Sequence, residues 1–339
     1  MSEVSVNSSS RLSYVDIGAG VMIIWLMYYH ALYPMCQSEI FSYFPFFFFF
    51  FFMPWFFYKS GMFFKPKPFK ENTKKDAGKL LKQFAIWSAI GYICYILHHW
   101  IFFHDLTLRV AFYSPLRSLL LGGSIPMNNA LWFLLTLFFV RFIANVALPK
   151  INVLIICIVS MVVACAIHFA HITFMPYTLY TIAWGFCFFS AGNYLRKYEQ
   201  NKWLIAVSFV ILLLTFTLTD IAEVYKKEET IAWYWYVLWY PACIAACVVF
   251  NNVCFWIEKV GKGIFKGNRF DMPLPIIKWV GRHSMTFYVA HYIIFRIVFD
   301  WVARINDSWY SGWQGIVIIT IAYAIIIVPL CLVLDKMKV

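Results

Sequence analysis

The chain has 339 residues, 63% of them hydrophobic and 21% aromatic, with only 13% charged and a formal net charge of +12. That leaves too little polar surface to cover a soluble body of this length, so a water-soluble enzyme is excluded. The excess of cations is accounted for by membrane topology and anionic lipid, and no nucleic-acid partner is expected.

A bilayer-spanning helix needs about 20 apolar residues. Ten such stretches follow in chain order, near 14–35, 40–58, 83–103, 130–148, 152–171, 177–195, 203–219, 231–257, 276–299 and 313–334. The expected fold is therefore all-α, a polytopic membrane bundle of about ten helices. Residues 1–13 form a polar N-terminus, 14–335 the transmembrane domain and 336–339 a short tail. The polar start leads into a full-length span with no small-residue cleavage site, so no cleavable signal peptide is expected. Of the 28 Lys and Arg, 21 fall in 1–13, 65–82, 141–150, 196–202, 258–282 and 335–339. By the positive-inside bias these segments, and both termini, are expected in the cytoplasm.

The first stretch ends in an anomaly. His30 lies about 24 Å along a helix that begins at Tyr14, and an ionisable side chain at that depth costs at least a few kcal/mol unless it faces a protein-lined cavity. A neutral imidazole there could take a proton from a hydroxyl, or it could simply bridge two helices. Asp16 is about 21 Å away on the same helix, too far to orient it. Next comes an unbroken run of seven phenylalanines, Phe46 to Phe52, and then Lys59-Ser60-Gly61. Lys59 could meet a phosphate, with Gly61 allowing close backbone approach, or could snorkel to headgroups.

The most charged stretch, 65–82, holds seven lysines. Lys74 to Phe84 is expected as an interfacial amphipathic helix. Within it Lys79-Leu-Leu-Lys82 puts two cations on one helix face. Segment 104–129 is expected as the longest external connection, with a turn at Gly122-Gly123-Ser124-Ile125-Pro126. His98-His99 and His104-Asp105 lack the HxxxxD spacing of soluble glycerolipid acyltransferases. His168 and His171 have a metal-compatible spacing with no carboxylate or cysteine nearby in sequence, and no metal is expected. His291 is the second deep histidine, with Arg296 following. The nine cysteines carry no CxxC pair and read as small packing residues.

Taken together, these segments resemble the acyltransferase 3 family, multi-span bacterial enzymes that acylate envelope molecules. The opening RLSYVDIGAGVMIIWLMYYHALYP is similar to the family's first helix, ending at its essential histidine, His30. FFMPWFFYKSGMFFKPK is similar to the second-helix pattern, with Ser60-Gly61 matching. Lys79 to Lys82 resembles a basic RxxR-like pair. ALWFLLTLFFVRFI around Trp132, MPYTLYTIAWGFCFFSAGNYLRK and VGRHSMTFYVAHYIIF, with Gly281, Ser284 and His291, are similar to later segments.

The resemblance implies an O-acyltransferase, moving acyl groups other than amino-acyl groups, in the bacterial cytoplasmic membrane. Acetyl-CoA is the implied co-substrate, and a glycan or lipid-linked saccharide the implied acceptor. His30 is then the catalytic residue, as general base or acyl carrier. Lys59, Ser60, Lys79, Lys82 and Arg282 would hold the donor, and Trp132 and His291 would face the acceptor. One position departs from the pattern: Ala19 stands where the family carries a cation eleven residues before the histidine, and Lys59 could stand in for it. A transporter with buried histidines, or an inactive relative in a membrane complex, are the alternative readings. Oligomeric state is open, since lipid-facing and partner-facing helix surfaces look alike in sequence.

Overall fold

The computed structural model describes residues 12–35, 50–170, 176–218, 233–264, 273–305 and 313–336. Several expectations lie outside these residues: the polar N-terminus up to Arg11, Phe46 to Phe49, and His171. Among the described residues there is no strand, only an isolated bridge between Ile125 and Asn128.

The helices, in chain order, are α1 (Ser13–Met35), α2 (Phe52–Met62), α3 (Phe69–Phe103), α4 (109–122), α5 (Trp132–Ala147), α6 (Val153–Phe169), α7 (Tyr177–Leu195), α8 (Lys202–Leu218), α9 (Trp233–Ile264), α10 (Pro273–Arg282), α11 (Ser284–Ile305) and α12 (Trp313–Lys336). Five are long and apolar enough to cross a bilayer: α3, α5 with its preceding turn, most of α9, α11, and α12. The protein is thus an all-helical membrane protein. Two expectations change in detail. Lys74 to Phe84 is no separate surface helix, because its π turn at Ala77–Leu81 runs on into the long apolar part of α3. Segment 104–129 is largely helix rather than loop, since α4 fills its middle and stops at Gly123, whose φ of 70° only glycine adopts freely. Sequence periodicity had little to grip there, because the apolar residues of α4 are mostly exposed.

Two close crossings set the frame. Between lipid-embedded helices no hydrophobic force acts, so association relies on small residues that let backbones touch. A Cβ on Gly61 would sit 1.9 Å from the Phe189 carbonyl oxygen, and one on Gly192 would sit 2.1 Å from the Tyr58 carbonyl oxygen. These glycines press α2 against α7. Likewise Gly281 lies against the Asp16 carbonyl and Gly20 against that of Ile277, pressing α1 against α10. Gly61 is therefore a helix-packing residue here rather than an opening for a ligand.

Around the α2–α7 contact several polar groups are paired. Asn193 donates to the carbonyls of Gly61 and Phe64, both at 3.1 Å, and Arg196 donates to that of Met62 at 2.9 Å. Trp55 donates to Asn251 at 2.8 Å, and Asn251 donates in turn to Glu199 at 2.5 Å. Glu199, in the turn between α7 and α8, is only 3% exposed, and burial pushes its carboxyl from 4.5 up to about 7.

Two measurements check this frame. Gly192→Ala should lower stability by about 1–3 kcal/mol or more through overpacking, read as thermal unfolding in detergent. Gly78→Ala, where an added Cβ meets nothing within 4 Å, should be neutral or stabilising. Below pH 4.5 Glu199 is protonated folded or unfolded, and above it only the unfolded chain releases the proton until about pH 7. Stability should therefore fall as pH rises across that window. Glu199→Gln should flatten the fall and unfold higher than wild type at pH 8.

Candidate functional site

Two cavities share Tyr288: one is lined by α1, α2, α5, α6, α7, α9 and α11, the other by α2, α5 and α11. The first, of about 280 Å³, lies at the end of α1 that carries His30. Tyr29 and His30 enter it from α1, Phe52 and Met53 from α2, and Trp132 from the first turn of α5. Tyr177, Tyr180 and Trp184 of α7 and Tyr236 and Trp239 of α9 complete an aromatic wall. No Asp, Glu, Lys or Arg lines it among the described residues, so the groups in it able to move a proton are the imidazoles of His30 and His168 and the tyrosine hydroxyls.

His291 stands directly behind His30, with ring centroids 5.4 Å apart and planes tilted by 31°. It is completely buried. Its Nδ1 lies 2.7 Å from the Tyr288 carbonyl and 3.2 Å from that of Phe287. A carbonyl only accepts, so Nδ1 carries the proton and Nε2 presents a lone pair. That Nε2 has no hydrogen-bond partner among the described residues. A buried acceptor left bare costs free energy. Tyr292 packs edge-on against His30 at 5.0 Å.

The second cavity, of about 240 Å³, lies toward the other end of α5. Phe56, Lys59 and Ser60 reach it from α2, Phe133, Leu137 and Arg141 from α5, and Ser284 and Tyr288 from α11. Arg141 is held in a fixed pose: Nε donates to Asp76 at 2.9 Å, an amino group donates to Ser60 at 3.2 Å, and the guanidinium lies 5.1 Å from the Phe64 ring. Asp76 is itself positioned by the docking of α3 on α5. There Asn145 accepts from Asn72 at 2.8 Å and from the Lys67 backbone at 3.1 Å. The Lys59 ammonium sits 5.4 Å from the Trp55 ring. Tyr288 lines both cavities. Its hydroxyl donates to the Ala130 carbonyl, and its ring packs on Phe133 at 5.4 Å.

The structure thus brings His30 and Trp132 to one chamber, with His291 packed against His30 outside its lining, and Lys59 and Ser60 to the other. Lys79, Lys82 and Arg282 are exposed and line neither. Trp132 stacks obliquely on Trp184 at 6.0 Å. His168 lies flat on Tyr236, 4.0 Å away at 6°, as part of the aromatic wall. Among the described residues no three His, Cys, Asp or Glu side chains gather to hold a metal ion.

Arg141 is the residue that sequence reasoning missed, since it was counted among loop charges. Its signal was a lone cation followed by Phe142 and Ile143 in a still-apolar run, but its partner Asp76 is 65 positions away in a lysine-rich stretch. The tyrosines of the wall gave no signal, because aromatic residues are common throughout the chain.

A helical, lipid-compatible chain with a histidine chamber backing on a cationic chamber fits a membrane acyltransferase. The acyltransferase 3 family model, described as an acyltransferase domain, matches residues 12–336, and the chain belongs to that family. No curated protein and no solved structure matches it.

Arg141→Gln would leave Asp76, 6% exposed, without its cation. Breaking such a pair should cost about 3–5 kcal/mol, and Asp76→Asn in the same chain should restore much of it. Thermal unfolding of the three variants checks this as a double-mutant cycle.

Proposed function

We propose that the protein transfers an acetyl group from acetyl-CoA to a hydroxyl of an envelope glycan or lipid-linked saccharide. The observation that carries this reading is the meeting of the two chambers at Tyr288, with an imidazole pair on one side and Arg141 and Lys59 on the other. Acyl transfer between two substrates needs such an arrangement, because donor and acceptor must approach one reacting carbon from different sides.

In this reading the acceptor occupies the aromatic chamber, where flat sugar faces can rest on Trp132. His30 takes the proton of the attacking hydroxyl as that oxygen bonds to the thioester carbonyl carbon, and returns it to the sulfur as the C–S bond breaks, releasing the free thiol and leaving His30 neutral. His291 would receive a hydrogen bond from protonated His30 on its bare Nε2, which makes it a positioning residue. Covalent passage of the acetyl group through His30 is the alternative order of the same events. The donor's thioester end occupies the second chamber, with its phosphates toward Arg141 and Lys59. Lys79, Lys82 and Arg282, exposed near one end of their helices, would meet the nucleotide portion. Ala19 is fully enclosed and offers no charge, and in this reading Arg141 and Lys59 supply the cations of the donor chamber. With the lysine-rich segments in the cytoplasm, as their charge favours, the donor enters from that side and both termini lie there.

Transfer of labelled acetyl from acetyl-CoA to envelope glycan in membrane vesicles tests the reading. His30→Gln at matched expression should lose activity by about 10²–10⁴-fold, the range of general-base contributions. The folded Arg141→Gln/Asp76→Asn protein should mainly raise the KM for acetyl-CoA. Full transfer by His30→Gln would remove the assignment. Solute transport with no need for acetyl-CoA would favour a transporter instead.

A further inference from the structure

Away from both chambers, α4 carries cations that no feature of the acyl-transfer site uses. Arg109, Tyr113 and Arg117 follow one another at four-residue intervals along one side of the helix, and with Ser114, Ser118 and Leu121 they line a groove of about 280 Å³. Both arginines are exposed. Among the described residues neither is ion-paired, and the nearest carboxylate in sequence, Asp105, is engaged by His99 at 2.8 Å. Eight residues separate the two guanidinium-bearing positions by no more than about 12 Å along the axis, so two long side chains can close on one anion between them. Hydroxyls of Ser114, Ser118 and Tyr113 supply neutral donors in the same groove.

What surrounds this groove distinguishes the kind of anion. Leu108 is 80% exposed, and Phe112, Leu116 and Leu120 on the same helix are also bare. A site for a freely dissolved anion has no use for such side chains, whereas a helix lying at the membrane surface presents apolar residues to the acyl region and cations to the headgroups. The helix is anchored rather than loose. Tyr92 donates to the Ala111 carbonyl at 3.0 Å, and Gly123 abuts the Thr178 hydroxyl beside Tyr177.

We propose that the Arg109–Arg117 groove of α4 is a binding site for the phosphate of an anionic lipid headgroup, with the lipid's chains lying along Phe112, Leu116 and Leu120. The site stands apart from the acyl-transfer chemistry and does not depend on it. Gly123 joins it to the segment whose Ala130 lines the His30 chamber.

Native mass spectrometry of the full chain, released from micelles holding equal phosphatidylglycerol and phosphatidylcholine, tests the proposal. Wild type should retain phosphatidylglycerol preferentially. Arg109→Gln/Arg117→Gln should lose the preference by at least about tenfold, since each surface cation contributes about fivefold to anionic-lipid attraction. Lys70→Gln/Lys202→Gln, the same charge loss elsewhere, should keep it. Excess inorganic phosphate at matched ionic strength should leave the lipid bound. No preference in wild type, preference surviving in the arginine variant, or equal loss in the lysine variant would each overturn the proposal. Displacement by inorganic phosphate would also overturn it, showing a site for free anions.

Discussion

Backbone contact at Gly61 and Gly192 is the constraint on which the rest of this structure depends. In hydrocarbon, lipid tails solvate leucine or phenylalanine as well as a neighbouring helix does, so bulky side chains alone give helices little reason to associate. Contact at the level of the carbonyls provides that reason, by packing and by bringing Asn193 within reach of the Gly61 and Phe64 carbonyls. Because α2 is fixed against α7 there, Lys59 and Ser60 point into the second chamber while Phe52 and Met53, earlier on the same helix, wall the first. One helix crossing thereby serves both halves of the site.

The two chambers handle charge in opposite ways. Around His30 the walls are largely aromatic, with no Asp, Glu, Lys or Arg among the described residues. In the second chamber the Arg141 charge is tolerated because Asp76 and Ser60 take up its donors. A buried ion pair of this kind adds little net stability over apolar packing, yet removing one partner is costly. Its value is geometric, since it holds a cation still in a cavity with largely aromatic and aliphatic walls. Tyr288 divides the two environments and, through the carbonyl it offers to His291, also fixes that ring's tautomer.

The aromatic content of the chain has a similar double use. Much of it packs edge-to-face in the core, as at Phe57 with Phe133 and Trp184. The remainder, exposed on α3, α4 and α8, meets the surrounding lipid. A smaller portion, drawn from α1, α2, α5, α7, α9 and α11, lines the two chambers, so composition does not reveal which aromatic residues belong to the site.

Much was legible in the chain alone. Apolar stretches of spanning length dictate helices, because a lipid-embedded backbone must satisfy its own hydrogen bonds. A histidine deep in such a stretch is conspicuous for the same energetic reason, so His30 and His291 could be singled out, and segment order carried the family. What only the tertiary structure decided was which distant residues meet. The pairing of Arg141 with Asp76, the placement of Gly61 against Phe189, and the exposure of Lys79, Lys82 and Arg282 outside both chambers depend on how helices rotate and cross. Periodicity says little about that rotation when every face is apolar, since lipid and a neighbouring helix present the same chemistry to the sequence.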